Sequence, residues 1–146
     1  MNEFFCPAKP EHAESIVFLM SDDDKRAMGS LNGAHVSALV KESPVSWCCT
    51  HDGKPMCVGG VSKNRMAWMI STPELNRQKK FFLRTSLLGM KIIRAAFPSG
   101  ITTVDVTYVR SINWLKWLGF VEKGKPRRAI HAGMCADVQT LEWGTP

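Results

Sequence analysis

The candidate chemistry of this chain is confined to three short stretches. The first is Thr72-Pro73-Glu74-Leu75-Asn76-Arg77-Gln78-Lys79-Lys80, where Arg77, Lys79 and Lys80 put three cations within four residues. Such side chains hold phosphate or carboxylate groups through charge-assisted hydrogen bonds. The second is Asp105-Val106-Thr107-Tyr108, which joins a carboxylate able to accept a proton to the only tyrosine of the sequence, a hydroxyl able to give one. Each also has a plain structural use, Asp105 as a hydrogen-bond acceptor and Tyr108 as an aromatic at a strand end. The third is Cys48-Cys49-Thr50-His51 with Cys57, residue types that can ligate zinc.

These groups need a framework, and the surrounding pattern supplies one. Residues 101–108 are rich in β-branched and aromatic side chains and read as a strand. Ser111 is placed to cap a helix with Ile112, Leu115 and Leu118 at helical spacing. Gly119 stops that helix in a left-handed conformation, and a new strand begins at Phe120. Residues 65–72 read as the central strand and 73–97 as the longest helix. Phe82, Gly89, Ile92 and Ala96 form its inner side. Arg77, Lys80, Arg84 and Lys91 form a stripe, either a solvated face or a docking surface for something anionic.

Asp52-Gly53 signals a two-residue hairpin turn. Register then follows by arithmetic: His51 faces Lys54, Cys49 faces Met56, Cys48 faces Cys57 and Trp47 faces Val58. That register puts Cys48 and Cys57 on one face and Cys49 and His51 on the other. Split ligands do not make a zinc site, so the expectation is buried, reduced thiols and no metal. Five cysteines without a CxxC pair point the same way, to a reducing compartment.

The remaining elements are read more coarsely. Residues 2–8 suit a short strand, and Pro10 opens a helix with Ile16, Val17, Leu19 and Met20 on its apolar side. Ser21-Asp22-Asp23-Asp24 caps a further helical stretch interrupted near Gly29 and Gly33, and another helix spans 34–41. After Phe120, residues 123–128 (Lys-Gly-Lys-Pro-Arg-Arg) read as a basic loop. Residues 130–138 read as a last edge strand, and 140–146 as a loose end apart from Leu141 and Trp143.

A chain of 146 residues with 45% apolar and 22% charged side chains suits one folded domain, 1–146, without repeats. No run approaches the ~18 apolar residues a membrane span needs, and the opening MNEFFCPAKPEH has no secretory signal pattern. The expected location is the cytoplasm of the cell that makes it. A net charge of +6 favours an anionic partner. Nucleic acid ranks last among such partners, because the aromatics look buried rather than interleaved with basic groups.

Ser-Ile-Asn-Trp-Leu-Lys-Trp-Leu-Gly-Phe, residues 111–120, resembles the last block of the GNAT superfamily of acyl-CoA N-acyltransferases. Pro-Ala-Lys-Pro-Glu-His-Ala, residues 7–13, resembles the opening of many members. The doubled Trp-Leu form is similar to a phage branch that includes internal virion proteins of short-tailed phages. The resemblance implies an α/β (α+β) fold: a mixed, mostly antiparallel central sheet, helices on both faces, and middle strands splayed to admit acetyl-CoA. It implies cofactor contacts from Ile70, Thr72, Arg77, Lys79 and Lys80 on one side and Ser111 and Trp114 on the other. Tyr108 would then protonate the leaving thiolate, and Asp105 would be the nearest carboxylate for the amine.

Two departures from the family pattern bear on activity. Members carry Q/R-x-x-G-x-G/A after the central strand, whose backbone N–H groups cradle the pyrophosphate. Residues 72–80 contain no glycine, Pro73 removes a donor, and Glu74 adds a negative charge. The central strand, Met66-Ala67-Trp68-Met69-Ile70, also lacks a carboxylate. These departures weigh toward a virion-associated or host-interacting phage protein with a degenerate acetyl-CoA site. That reading implies a protein partner from the virion or host, scope for a homo-oligomer, and packaging into the virion as a second destination. The alternative is an active acetyl-CoA-dependent N-acetyltransferase for a small amine or a protein.

Overall fold

Two antiparallel sheets meet at one seam, and the functional geometry follows from how short that seam is. The computed structural model describes residues 4–22, 25, 32–131 and 134–144. Among them the chain runs β1 (Phe4–Pro7), α1 (Pro10–Leu19), α2 (Gly33–Glu42), β2 (Val45–His51), β3 (Lys54–Val61) and β4 (Ala67–Ser71). It continues through α3 (Glu74–Arg77), α4 (Lys79–Ala96), β5 (Gly100–Asp105), α5 (Val109–Trp117), β6 (Val121–His131) and β7 (Met134–Trp143). One sheet has the order β1-β2-β3-β4, the other β5-β7-β6. Between them stands a single parallel bridge, Met66 to Ile101. It is reinforced by Ile101 N donating to Arg65 O at 2.9 Å and Thr102 Oγ1 donating to Ala67 O at 2.9 Å. Past that point β4 pairs with β3 and β5 with β7, so the two middle strands part toward their carboxyl ends.

Helices cover both faces, as the sequence implies. Ala13, Ile16 and Met20 of the α1 side and Val36 and Val40 of α2 pack on Val58, with Trp68 and Ile70 against them. On the opposite face Phe82 of α4 packs on Cys49, Met56 and Cys57. Met90 and Ile93 of α4 join Val104, Leu115, Leu118, Phe120, Leu141 and Trp143 under the second sheet. Each such fully buried aliphatic side chain contributes about 1.5–3 kcal/mol. Caps fix where the first helices start: Pro10 occupies the first turn of α1, and Asn32 Oδ1 accepts from Ala34 N at 2.9 Å and His35 N at 3.2 Å. The helical stretch expected after Asp22 falls mostly outside the described residues.

Several expectations are corrected. Hairpin register holds at His51–Lys54 and Thr50–Pro55; a bulge between Cys49 and Thr50 then pairs Cys49 with Cys57, Cys48 with Val58 and Trp47 with Gly59. Pro55 brings no N–H to the ladder, so regular pairing fails beside it and Met56 becomes the extra residue. The long helix is two helices. Gln78, at φ −118° and ψ 48°, leaves the helical region and separates α3 from α4. Ile92 and Ala96 are exposed, and the inner row is Phe82, Thr85, Gly89, Met90 and Ile93, because Ile92 lies about 100° around the helix from Ile93.

The carboxyl-terminal third differs most. Residues 123–128 are not a loop but part of β6, with the pairing shifted between Lys123 and Arg127. Gly124 (φ +69°) and Pro126 fall inside that bulge, on an edge strand, where neither residue breaks a ladder bond. Residues 130–131 end β6 and residues 134–138 begin β7, rather than forming one edge strand, and β7 is the middle strand of its sheet. Nor is the end loose: β7 continues to Trp143, which is buried and donates Nε1 to Phe97 O at 3.0 Å.

Candidate active site

The first strand-to-helix turn closes on Thr72. Its side chain is buried, and its Oγ1 donates to Pro55 O at 2.9 Å while accepting from Glu74 N at 3.3 Å. Thr72 therefore anchors the turn to β3, and its hydroxyl is not offered to a cofactor. Arg77 is also committed: it pairs with Glu74 at 3.0 Å, and that hydrogen bond, more than the nearby Lys54, holds the Glu74 carboxyl below its ordinary range. The acidic charge that the sequence sets in the phosphate region is thus largely neutralised by its own neighbour.

Because α4 starts only at Lys79, the objection raised by Pro73 and Glu74 applies to the short α3 and not to the helix that faces the groove. The first α4 residue whose N–H finds a carbonyl is Phe82, bonded to Gln78 O at 2.9 Å. The N–H groups of Lys79, Lys80 and Phe81 precede the ladder, as at any helix start, and carry the positive end of the helix dipole. An open groove of about 1060 Å³ runs over this end, lined by His51, Arg77, Lys79, Lys80, Phe81 and Arg84. Lys79, Lys80 and Arg84 are exposed cations. Helix N–H groups with such cations suit a diphosphate, with side chains standing in for the missing glycine cradle.

The second turn carries the other candidates. Asp105 Oδ1 accepts from Thr107 N at 2.9 Å and Thr107 Oγ1 at 2.8 Å, and Asp105 O accepts from Tyr108 N at 3.0 Å. This is an Asx turn, so Asp105 serves the start of α5, and the structural use of that carboxylate is the one observed. Tyr108 stands at the N-cap position, and Ser111, expected there, lies in the first turn and exposed. Tyr108 is 41% exposed and lines a cavity of about 660 Å³ together with Ser111 and Trp114. Across it stand Met69, Ile70 and Ser71 of β4. Ile70's side chain also packs into the α1–α2 cluster. Trp114 closes the back: its ring stacks on Phe82 at 5.2 Å, and its Nε1 donates to Ser86 Oγ at 3.3 Å.

The parted strands therefore bring together Ile70, Tyr108, Ser111 and Trp114, with Lys79 and Lys80 in the adjacent groove. Thr72, Arg77 and Asp105 are spent on local structure. Sequence reasoning weighed His51 only as a zinc ligand, whereas its ring meets Phe81 at 5.6 Å beside the groove, and it missed Arg127, which reaches the cavity from β6. His51 follows from the hairpin turn placing it next to α4, whereas Arg127 was hidden by reading its strand as a loop.

The cysteines are free thiols. Burial, then the neighbouring Cys6 and Cys49, pushes Cys48 up to about 12. A hydrogen bond with Cys49, then burial, raises Cys57. Among the described residues no group of three or more His, Cys, Asp or Glu side chains is placed to hold a metal. Among them, too, no helix is long and apolar enough to cross a membrane.

No family model and no curated protein sequence matches the chain. Solved structures do. An acetyltransferase of the GNAT family from Streptococcus pneumoniae is similar over 97% of this chain and 98% of its own, with TM-score 0.68 and 14% identity. An N-acetyltransferase from Staphylococcus aureus Mu50 is similar over 99% and 98%, with TM-score 0.74 and 10% identity. The Salmonella typhimurium protein yncA, assigned as an acetyltransferase and solved with its cofactor acetyl-CoA, is similar over 99% and 94%, with TM-score 0.74 and 10% identity. At such identities the likeness is one of fold, and it spans both sheets and the seam between them: the chain has the fold of the GNAT acetyltransferases.

Proposed function

We propose that the chain is an acetyl-CoA-dependent N-acetyltransferase. The observation that carries this reading is the opening between β4 and β5, continuous in kind with a basic groove at the start of α4. Lys79, Lys80, Arg84 and the leading N–H groups of α4 would hold the diphosphate. Bound there, acetyl-CoA would supply an acyl group activated as a thioester. Tyr108 Oη, exposed at the cavity, is the proton donor for the departing sulfur. Trp114 and Phe82 keep water from the back of the cavity. Among the described residues that line it there is no carboxylate, so the acceptor amine loses its proton to solvent rather than to a fixed base.

The virion-associated reading rests on the carboxyl-terminal block and on the two departures from the family pattern, whereas solved structures similar over nearly the whole chain include several acetyltransferases. Calorimetry with acetyl-CoA decides between the two. Micromolar binding, weakened about ten- to a hundredfold by the double change Lys79→Ala and Lys80→Ala, is the expected result. No heat at millimolar cofactor would return the chain to a scaffold role. Tyr108→Phe is expected to lower kcat about a hundredfold with little change in cofactor affinity; unchanged turnover would remove Tyr108 from the chemistry.

A further inference from the structure

Resting on that reading of the cleft, we infer that the acceptor is an amine carrying a second, anionic group, and that Arg127 recognises it. β6 carries four cations, Lys123, Lys125, Arg127 and Arg128. Two are paired across the ladder, Arg128 with Asp137 at 3.4 Å and Lys123 with Glu142 at 3.8 Å. No carboxylate among the described residues pairs with Arg127, yet Arg127 lines the cavity that Tyr108, Ser111 and Thr103 also line. Register puts Arg127 opposite Val138, and Val138 opposite Asp105 at the end of β5. Directly opposed residues share a face, so Arg127 looks over the same face as the strand end that leads to Tyr108, two strand spacings or about 10 Å away.

A built feature aims it there. Between Lys123 and Arg127 three residues of β6 oppose the single residue Gln139 of β7. Gln139 is buried, and its Nε2 donates to Gly124 O at 3.1 Å and to Thr140 O at 3.0 Å. A buried amide spent on a bulge carbonyl fixes the width of the bulge, and bulges beside active sites re-aim the side chains that follow them. The nearest carboxylate on this face, Asp105, has its Oδ1 bonded to Thr107 N and Thr107 Oγ1, and the lining itself offers no negative charge, among the described residues, to welcome a second ammonium group. The geometry thus selects a zwitterionic amine over a diamine: charge-assisted bonds from a guanidinium to a carboxylate or phosphate gain where a second cation is repelled.

Three acceptors of one carbon skeleton test this: 4-aminobutyrate, butylamine and 1,4-diaminobutane, assayed for thiol release with acetyl-CoA. The expected kcat/KM is highest for 4-aminobutyrate, by about ten- to a hundredfold over butylamine, and lowest for the diamine. Arg127→Ala should erase the gap between 4-aminobutyrate and butylamine mainly through KM, Arg127→Lys should keep part of it, and Gln139→Met should narrow it while leaving the butylamine rate unchanged. Titration of the cofactor-free protein with 4-aminobutyrate, followed by the Arg127 Nε resonance, reads the same subsite without turnover. A shift there alongside silent acetyl-CoA calorimetry would retain the anion subsite and refute the transferase reading. Preference for the diamine, or Arg127→Ala leaving the series unchanged, would overturn the subsite.

Discussion

The gap between β4 and β5 ends in two strand-to-helix turns, and they are built in opposite ways. After β4, Thr72 is buried and bonded to the neighbouring strand, so the helix ends that follow are referred to the sheet. After β5, Asp105 folds its carboxylate onto its own next residues and leaves Tyr108 outside at the head of α5. The first turn sets the position of a helix end, whose dipole and cations act over several ångströms and need a fixed frame. The second presents one side chain, which needs reach and access. A rigid anchor suits the binding half of the cleft, and a self-contained turn suits the half that does chemistry.

Four measurements break or sharpen that contrast. Trp114→Ala, which removes the contact of α5 with Phe82 and Ser86 of α4, should cost about 3 kcal/mol in urea unfolding; a loss under about 1 kcal/mol would mean that α4 and α5 do not support each other. Thr72→Val leaves Pro55 O and Glu74 N without their partner and should cost about 1–3 kcal/mol in the same assay. Asp105→Asn keeps an acceptor for Thr107 and should cost less than about 1 kcal/mol with turnover largely intact. Were Asp105→Asn the costlier of these two, the contrast between the turns would be reversed. The smallest effect belongs to Glu74. Its folded pKa lies below the ordinary 4.5, so the Arg77 pair is fully present above that pH and is lost as pH falls through the lowered value. Glu74→Gln should therefore flatten the acid limb of the stability curve below about pH 4.5 and leave neutral stability nearly unchanged, as seen by thermal melts across pH.

The block from Ser111 to Phe120 was the most readable part of the chain, because Leu115, Leu118 and a left-handed Gly119 (φ +104°) are local signals of a helix and its stop. The fold class followed from it and from element order. What escaped were features set by contacts distant in sequence. Nothing near Gly124 and Pro126 says that Gln139 will hold them in a strand, so a basic strand read as a basic loop. Likewise the break at Gln78 answers to Thr72 below it and Phe82 above it, each tied to the sheet, and not to its own residue type. Of the candidate site, Tyr108 and the two lysines were legible from residue type. Arg127 was not, since strand register decides where it points.

The seam that joins the sheets has one further property. At its edge Gly100 lies opposite Trp143, and a methyl group at position 100 would overlap the indole and stand 2.6 Å from the Arg65 carbonyl. The tolerance of the seam is therefore set at its edge: a single added carbon there would force the Trp143 indole or the Arg65 backbone to move.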